Sequence, residues 1–231
     1  MLSLDEFTLE RITFEVRYET AFLFWDNSGK VLADMARDYP KIHVTNATIS
    51  SVLCDWMDEG LALNFDSAKA YVTQDYPSKL SLFYEFTTRL TNLIQNYLKV
   101  QNFTRVGCRH VHSLRTNSLE EASALMRNSR AWAAEEDRMK PFGTKVNEVT
   151  MRVEDDSRGH TLHISNLPRT LTIQVAKPFV IETSGFNKDA IVIDVDAYTK
   201  KMVVAPELDA SEFVRATMKN TRENLLVFLG W

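Results

Sequence analysis

Residues 11–19 read Arg-Ile-Thr-Phe-Glu-Val-Arg-Tyr-Glu, and their alternation decides the fold class. Ile12, Phe14, Val16 and Tyr18 fall on one side of an extended chain; Arg11, Thr13, Glu15, Arg17 and Glu19 fall on the other. A period of two is the mark of a strand with one buried face and one wet face. The apolar side then needs a roof, and residues 79–100 supply one. There Phe83, Phe86, Leu90, Leu93, Ile94 and Tyr97 recur at three- and four-residue steps after Pro77. A helix with so broad an apolar stripe is stable only when that stripe lies on a sheet.

The remaining segments extend the same plan. Asp26-Asn-Ser-Gly29 offers turn and cap chemistry for a helix running to about Asp38, which Pro40 stops. Residues 42–46 read as a short extended piece, and 61–65 with 69–73 read as a hairpin turning near Asp66-Ser67. Residues 104–115 form a further strand in which Gly107 permits a bulge or a close backbone approach. Ser118-Leu-Glu-Glu121 is a capping box for a helix predicted to reach about Met139, before Pro141-Phe-Gly143. Five strand-like runs follow, at 145–154, 159–165, 170–176, 179–183 and 190–198, in the spacing of an antiparallel meander. Asp209 and Glu212 make a second capping box, with Leu208 and Phe213 as its hydrophobic staple, for a last helix running to Gly230.

The expected fold is therefore α+β: largely antiparallel sheet covered by amphipathic helices, in two similar-sized halves. Residues 1–140 would form an N-terminal α+β half, and 141–231 a C-terminal β-meander with the terminal helix. One continuous domain with a single long curved sheet is the alternative arrangement.

Composition excludes several classes. Among 231 residues, 45% hydrophobic and 25% charged side chains argue against wholesale disorder. A net charge of −4 argues against a general nucleic-acid coat. No apolar run has the length of a membrane span. Met1-Leu-Ser-Leu-Asp-Glu6 carries acids where a secretory leader carries bases, so a cytoplasmic protein is expected. Cys54 and Cys108 stand outside any CxxC pair and read as small buried apolar side chains.

Candidate chemistry collects on few residues. In Arg105-Val-Gly-Cys-Arg-His-Val-His-Ser113, Arg105, Gly107 and Arg109 share a strand face, while Cys108, His110 and His112 share the other. Two arginines beside a glycine suit a carboxylate or phosphate, or pair with acids such as Glu15 or Glu19 on the first strand. Cys108 and His110, two apart on a strand, are roughly 6–7 Å apart, too far for a thiolate–imidazole pair. His110, His112, His160 and His163 lack the carboxylate or cysteine partners of a known zinc spacing, so no metal or other cofactor is expected. Asp194 and Asp196 read as the wet face of a strand that buries Ile193 and Val195. Ile42-His-Val-Thr45 and Leu162-His-Ile-Ser165 both fit apolar-His-apolar-Thr/Ser. Such pairs resemble those of the two-histidine phosphoesterases, which implies His43 and His163 as acid and base, with Thr45 and Ser165 holding a phosphate. Asn46 and Asn166 stand where that family has another apolar residue.

The order of segments also resembles a sporadically distributed, uncharacterised bacterial protein family of about this length. The resemblance rests on the Ile12–Tyr18 type of strand, a helix ending in Tyr39-Pro40, the long aromatic helix, the Arg105-Val-Gly-Cys-Arg-His-Val strand, and Ile-Asp-Val-Asp-Ala-Tyr at 193–198. Cys108, His110 and His112 stand where that family has leucine, tyrosine and asparagine. It brings no catalytic residues, and its patchy occurrence implies mobile elements or phage-defence loci. The leading expectation is a non-catalytic interaction or assembly subunit of bacterial or phage origin, with a protein partner or a second copy of itself. The alternatives are the phosphoesterase of His43, Thr45, His163 and Ser165, and a nucleotide- or RNA-binding module using Arg105 and Arg109.

Overall fold

The computed structural model describes residues 4–129, 141, 147–166, 169–171 and 186–231. In them the α+β architecture is plain: four α-helices stand against a nine-stranded antiparallel sheet. The strands of that sheet are β1 (Thr8–Arg17), β2 (His43–Ala47), β3 (Ser51–Trp56), β4 (Leu61–Asp66), β5 (Lys69–Asp75), β7 (Arg105–Arg115), β8 (Glu148–Glu154), β9 (Arg158–Ser165) and β12 (Ala190–Thr199). Two small ribbons join β6 (Asn102–Phe103) to β13 (Val203–Val204), and β10 (Arg169–Leu171) to β11 (Phe186–Lys188). The helices are α1 (Phe24–Asp38), α2 (Ser81–Leu98), α3 (Leu119–Asn128) and α4 (Ala210–Leu229).

Strand order is β2-β3-β4-β5-β1-β7-β12-β9-β8. β12 hydrogen-bonds to β7 on one side, from Ala190↔Arg115 to Tyr198↔Gly107, and to β9 on the other. That insertion welds the early strands to the late ones into one sheet. The division expected at 140/141 falls beside residues outside the described set.

Register puts one face of the sheet under the helices. Ile12, Phe14 and Val16 stand across from Gln74, Val72 and Ala70 of β5, and Phe14 and Ile12 from Cys108 and His110 of β7. Val195 and Ile193 of β12 continue the row to Leu162 and Ile164 of β9. On this face α2 packs against β5, α1 and α4, α4 also against β7, and α3 against β12. The core falls into two clusters. One holds β1, β3, β4, β5 and part of β7 with α1, α2 and the start of α4; the other holds Phe7, Ile193, Leu162 and Met126 with the end of α4. Phe83, Phe86, Leu90 and Ile94 are buried, so the aromatic stripe is the roof its spacing predicts.

Several expectations shift in detail. α1 begins at Phe24 after Leu23, which makes no side-chain cap, so Asp26-Asn-Ser-Gly29 lies inside its first turns. The hairpin at Asp66-Ser67 forms, its turn closed by Asp66 Oδ1 accepting from Ala68 N and Lys69 N at 2.6 and 2.8 Å. β3 has no counterpart in the sequence reading, because Leu53 stands on the face opposite Val52, Cys54 and Trp56 and blurs the alternation. Gly107 makes no bulge; the register break lies in β1 between Leu9 and Arg11. Ser118 caps α3 as expected, accepting from Glu121 N at 3.2 Å, but the helix ends at Asn128, and 130–140 lie outside the described residues. The strand-like run at 179–183 lies outside them too. Among the described residues no helix is long and apolar enough to cross a membrane.

Candidate functional site

A cleft of about 430 Å³ opens at one end of the helix layer. The β1–α1 connection at 18–23 forms one wall, the α2–β6 connection at 98–102 the other, and Met202 the rim. Both walls are held firmly. Tyr18 donates from its hydroxyl to Asp66 O and Lys69 O at 2.8 and 3.0 Å, and Ala21 N donates to Ser67 O at 2.7 Å. Asn27 Nδ2 donates to Tyr97 O at 3.0 Å and ties α1 to the last turn of α2. Lys99 ends that helix in the left-handed region, with φ 57°.

Of the run Ala21-Phe22-Leu23-Phe24-Trp25, only Ala21 and Phe24 turn into the core. Phe22 is left 75% exposed and Trp25 49%, their rings 6.1 Å apart, and Met202 across the cleft is 62% exposed. Sequence reasoning missed this group. The signal was present as five apolar residues in a row at the start of an amphipathic helix, more than one helix face can bury.

The arginine strand is differently engaged. Arg109 is bidentate to Asp194, at 2.9 Å from Nε to Oδ1 and 2.5 Å from Nη2 to Oδ2, and Arg105 Nη2 donates to Asp196 Oδ2 at 2.7 Å. The acids come from β12, not from Glu15 of β1 or Glu19 just beyond it; Glu15 accepts from Arg17 at 2.6 Å. Arg105 passes over Gly107 to reach its acid: a Cβ there would lie in ordinary contact, 3.8 Å from both Arg105 Nε and Asp196 Oδ1, so only a longer side chain would stand in the way. Arg105 also stacks 4.4 Å from the centre of the Tyr198 ring. Tyr198 donates to Glu154 at 2.6 Å, and with Arg152 it holds that carboxyl down at about 2. The helix-free face is thus a ladder of ion pairs, in which the buried Nε of Arg105 alone lacks an acceptor among these contacts.

The histidines do not form one centre. His110 and His112 are buried beneath α4, with Nδ1 of His110 3.0 Å from Nε2 of His112 and Thr221 Oγ1 3.1 Å from His110 Nε2. Burial pushes both imidazoles down, to about 3 for His110, helped by His112 and His160, and to about 4 for His112. They are neutral rings sharing one hydrogen-bonded chain. Cys108 is buried beside them with its thiol pushed up by desolvation, and Cys54 is likewise buried and raised to about 11. His163 lies on the opposite face, 3.3 Å from Glu148. Among the described residues no group of three or more His, Cys, Asp or Glu side chains could hold a metal ion.

His43 and Thr45 stand on β2, at one margin of the sheet, whereas His163 and Ser165 stand on β9. Seven strand steps separate the two, about 34 Å along the sheet at the usual strand spacing. Thr45 Oγ1 donates to Leu53 O at 3.3 Å, and Asn166 is buried, donating to Ser123 at 3.0 Å. The two histidines cannot flank one phosphate. No family model matches the sequence and no curated protein matches it.

Proposed function

We propose that this protein is a non-catalytic interaction subunit that receives an apolar segment of a partner protein in the cleft between Phe22 and Met202. The observation that carries the reading is the exposure of Phe22 and Met202 on a cleft whose walls are fixed by backbone hydrogen bonds, with the exposed Trp25 ring beside Phe22 just outside it. Aromatic side chains on a rigid frame lose little conformational entropy when they are covered, and a tryptophan and a methionine are typical anchors of protein interfaces. Leu23, Leu98 and Val100 continue the apolar lining, and Glu19 and Lys99 supply one charge of each sign at its margin. The family resemblance adds a setting: a bacterial or phage protein of mobile elements or phage-defence loci.

The nucleic-acid reading draws no comparable support, because Asp194 already fills the guanidinium fork of Arg109 and Asp196 neutralises Arg105 through one Nη2 contact. The test is affinity capture from native cells with three baits: the unaltered chain, a Phe22→Ser/Trp25→Ser variant, and a Val44→Ser/Ile49→Ser control. Val44 and Ile49 are equally exposed but lie by β2. A partner retained by the first and third baits and lost by the second supports the reading. Capture indifferent to Phe22 and Trp25, or no capture, sinks it.

A further inference from the structure

The two margins of the sheet are built differently. β2 is short, and its register slips between Val44 and Asn46, a bulge of the kind that blunts an edge. β8 runs seven residues, Glu148–Glu154, paired to β9 without a slip and containing neither proline nor glycine. Among the described residues its other side has no neighbouring strand. A long, regular, unblunted margin is a template for another strand.

The direction of its backbone groups follows from the hydrogen bonds that bracket the β8–β9 ladder. Asp155 N donates to Arg158 O and Asn166 N to Asn147 O, both at 2.9 Å. In an antiparallel ladder hydrogen-bonded pairs alternate with non-bonded ones, so the odd-numbered residues of β8 bond to β9. The N–H and C=O groups of Glu148, Thr150, Arg152 and Glu154 therefore face outward. Side chains select the register. Antiparallel self-pairing centred on Thr150 sets Glu148 of each copy across from Arg152 of the other, and Val149 across from Met151. Centring on Met151 instead opposes Glu148 to Glu154, and centring on Arg152 opposes two arginines. Only the Thr150 register joins unlike charges at both ends.

We infer that the outer margin of β8 pairs with β8 of a second copy of this chain, about a two-fold axis through Thr150. In that pairing Glu148, Thr150 and Arg152 exchange backbone hydrogen bonds across the axis. Both helix layers stay on the same side of the doubled sheet. The side chains of Glu148 and Arg152 are 62% and 64% exposed, and reaching across exchanges one partner each: Glu148 leaves His163, and Arg152 leaves Glu154, which keeps Tyr198 and Lys200. This contact is separate from the aromatic cleft and does not depend on it.

Sedimentation equilibrium of the full chain tests it. The unaltered protein should be a dimer. Thr150→Pro removes an outward N–H that β9 does not use, so it should give a folded monomer with an unchanged circular dichroism spectrum. Arg152→Glu should weaken the dimer by about tenfold, by turning both cross-axis pairs repulsive, and Glu148→Arg with Arg152→Glu should restore it. A protein monomeric at every concentration overturns the inference. So does a dimer that survives both Thr150→Pro and Arg152→Glu, or a double swap that fails to recover it. The Phe22→Ser/Trp25→Ser variant should dimerise as the unaltered chain does, which keeps the two proposals apart.

Discussion

Gly159 stands across from Tyr198 in the β9–β12 register, and a methyl group there would lie 2.4 Å from the phenol ring. The ring occupies the space a side chain would take, and Gly107 faces it from the other strand. Arg105 stacks on this ring, and its hydroxyl donates to Glu154, so one glycine positions a whole polar cluster. Gly159→Ala must push the ring off its place, at a cost of about 1–3 kcal/mol, the range for overpacking. A urea midpoint lowered accordingly, together with altered Tyr198 fluorescence or ring chemical shifts, is the expected result. Gly107 differs in degree: a Cβ there meets nothing closer than 3.7 Å, so alanine is tolerated and only a longer side chain displaces Arg105. Glycines at these two positions are legible in the sequence, but nothing local says that a tyrosine from a strand far along the chain fills the space above one of them.

At the scale of elements, α4 shows how much of a helix its termini specify. Asp209 Oδ1 accepts from Glu212 N at 2.9 Å, and the helix closes at Gly230 in the left-handed region with φ 73°. Asp209→Ala leaves that N–H without its partner and should cost about 1 kcal/mol of stability, read as a lower urea midpoint with an unchanged slope. α1 is the counter-example. It has no side-chain cap, and its first turn is set by tertiary contacts: Phe24 is buried against Phe65, with their rings 5.9 Å apart. Its cap-like residues Asp26-Asn-Ser-Gly29 are therefore misleading when read alone. α2 needed no cap to be recognised, because eight buried residues along one side leave no doubt of its period.

For the whole molecule, closure of α4 over the sheet has a consequence for pH. His110 and His112 are neutral in the folded protein, held down to about 3 and about 4 chiefly by burial, whereas an unfolded histidine titrates near the ordinary 6.5. Above that value both states are neutral and the pair has no effect. As pH falls below it, the unfolded chain takes up protons that the folded chain refuses, so stability declines until the folded pKa values are reached. The loss is about 1.4 kcal/mol per pH unit for each histidine. Urea midpoints should hold level from pH 7.5 to about 6.5 and fall from there to pH 5, and His112→Gln should flatten that lower limb. A slope unchanged in the variant would show that other groups set it.

Alternation at 11–19, the helical stripe at 81–98, the hairpin about Asp66-Ser67 and the capping boxes at Ser118 and Asp209 are all patterns among near neighbours in the chain. They determined the elements and the α+β class, because the geometry of a strand or a helix is repeated every two to four residues. Which strands lie side by side is set instead by contacts between residues far apart in sequence, and only the folded chain decides it. Insertion of β12 beside β7 gave Arg105 and Arg109 their acids, and the breadth of the sheet parted His43 from His163. The packing of α1 left Phe22 and Trp25 outside the core, since a helix has room for one buried face and its neighbours were already in place.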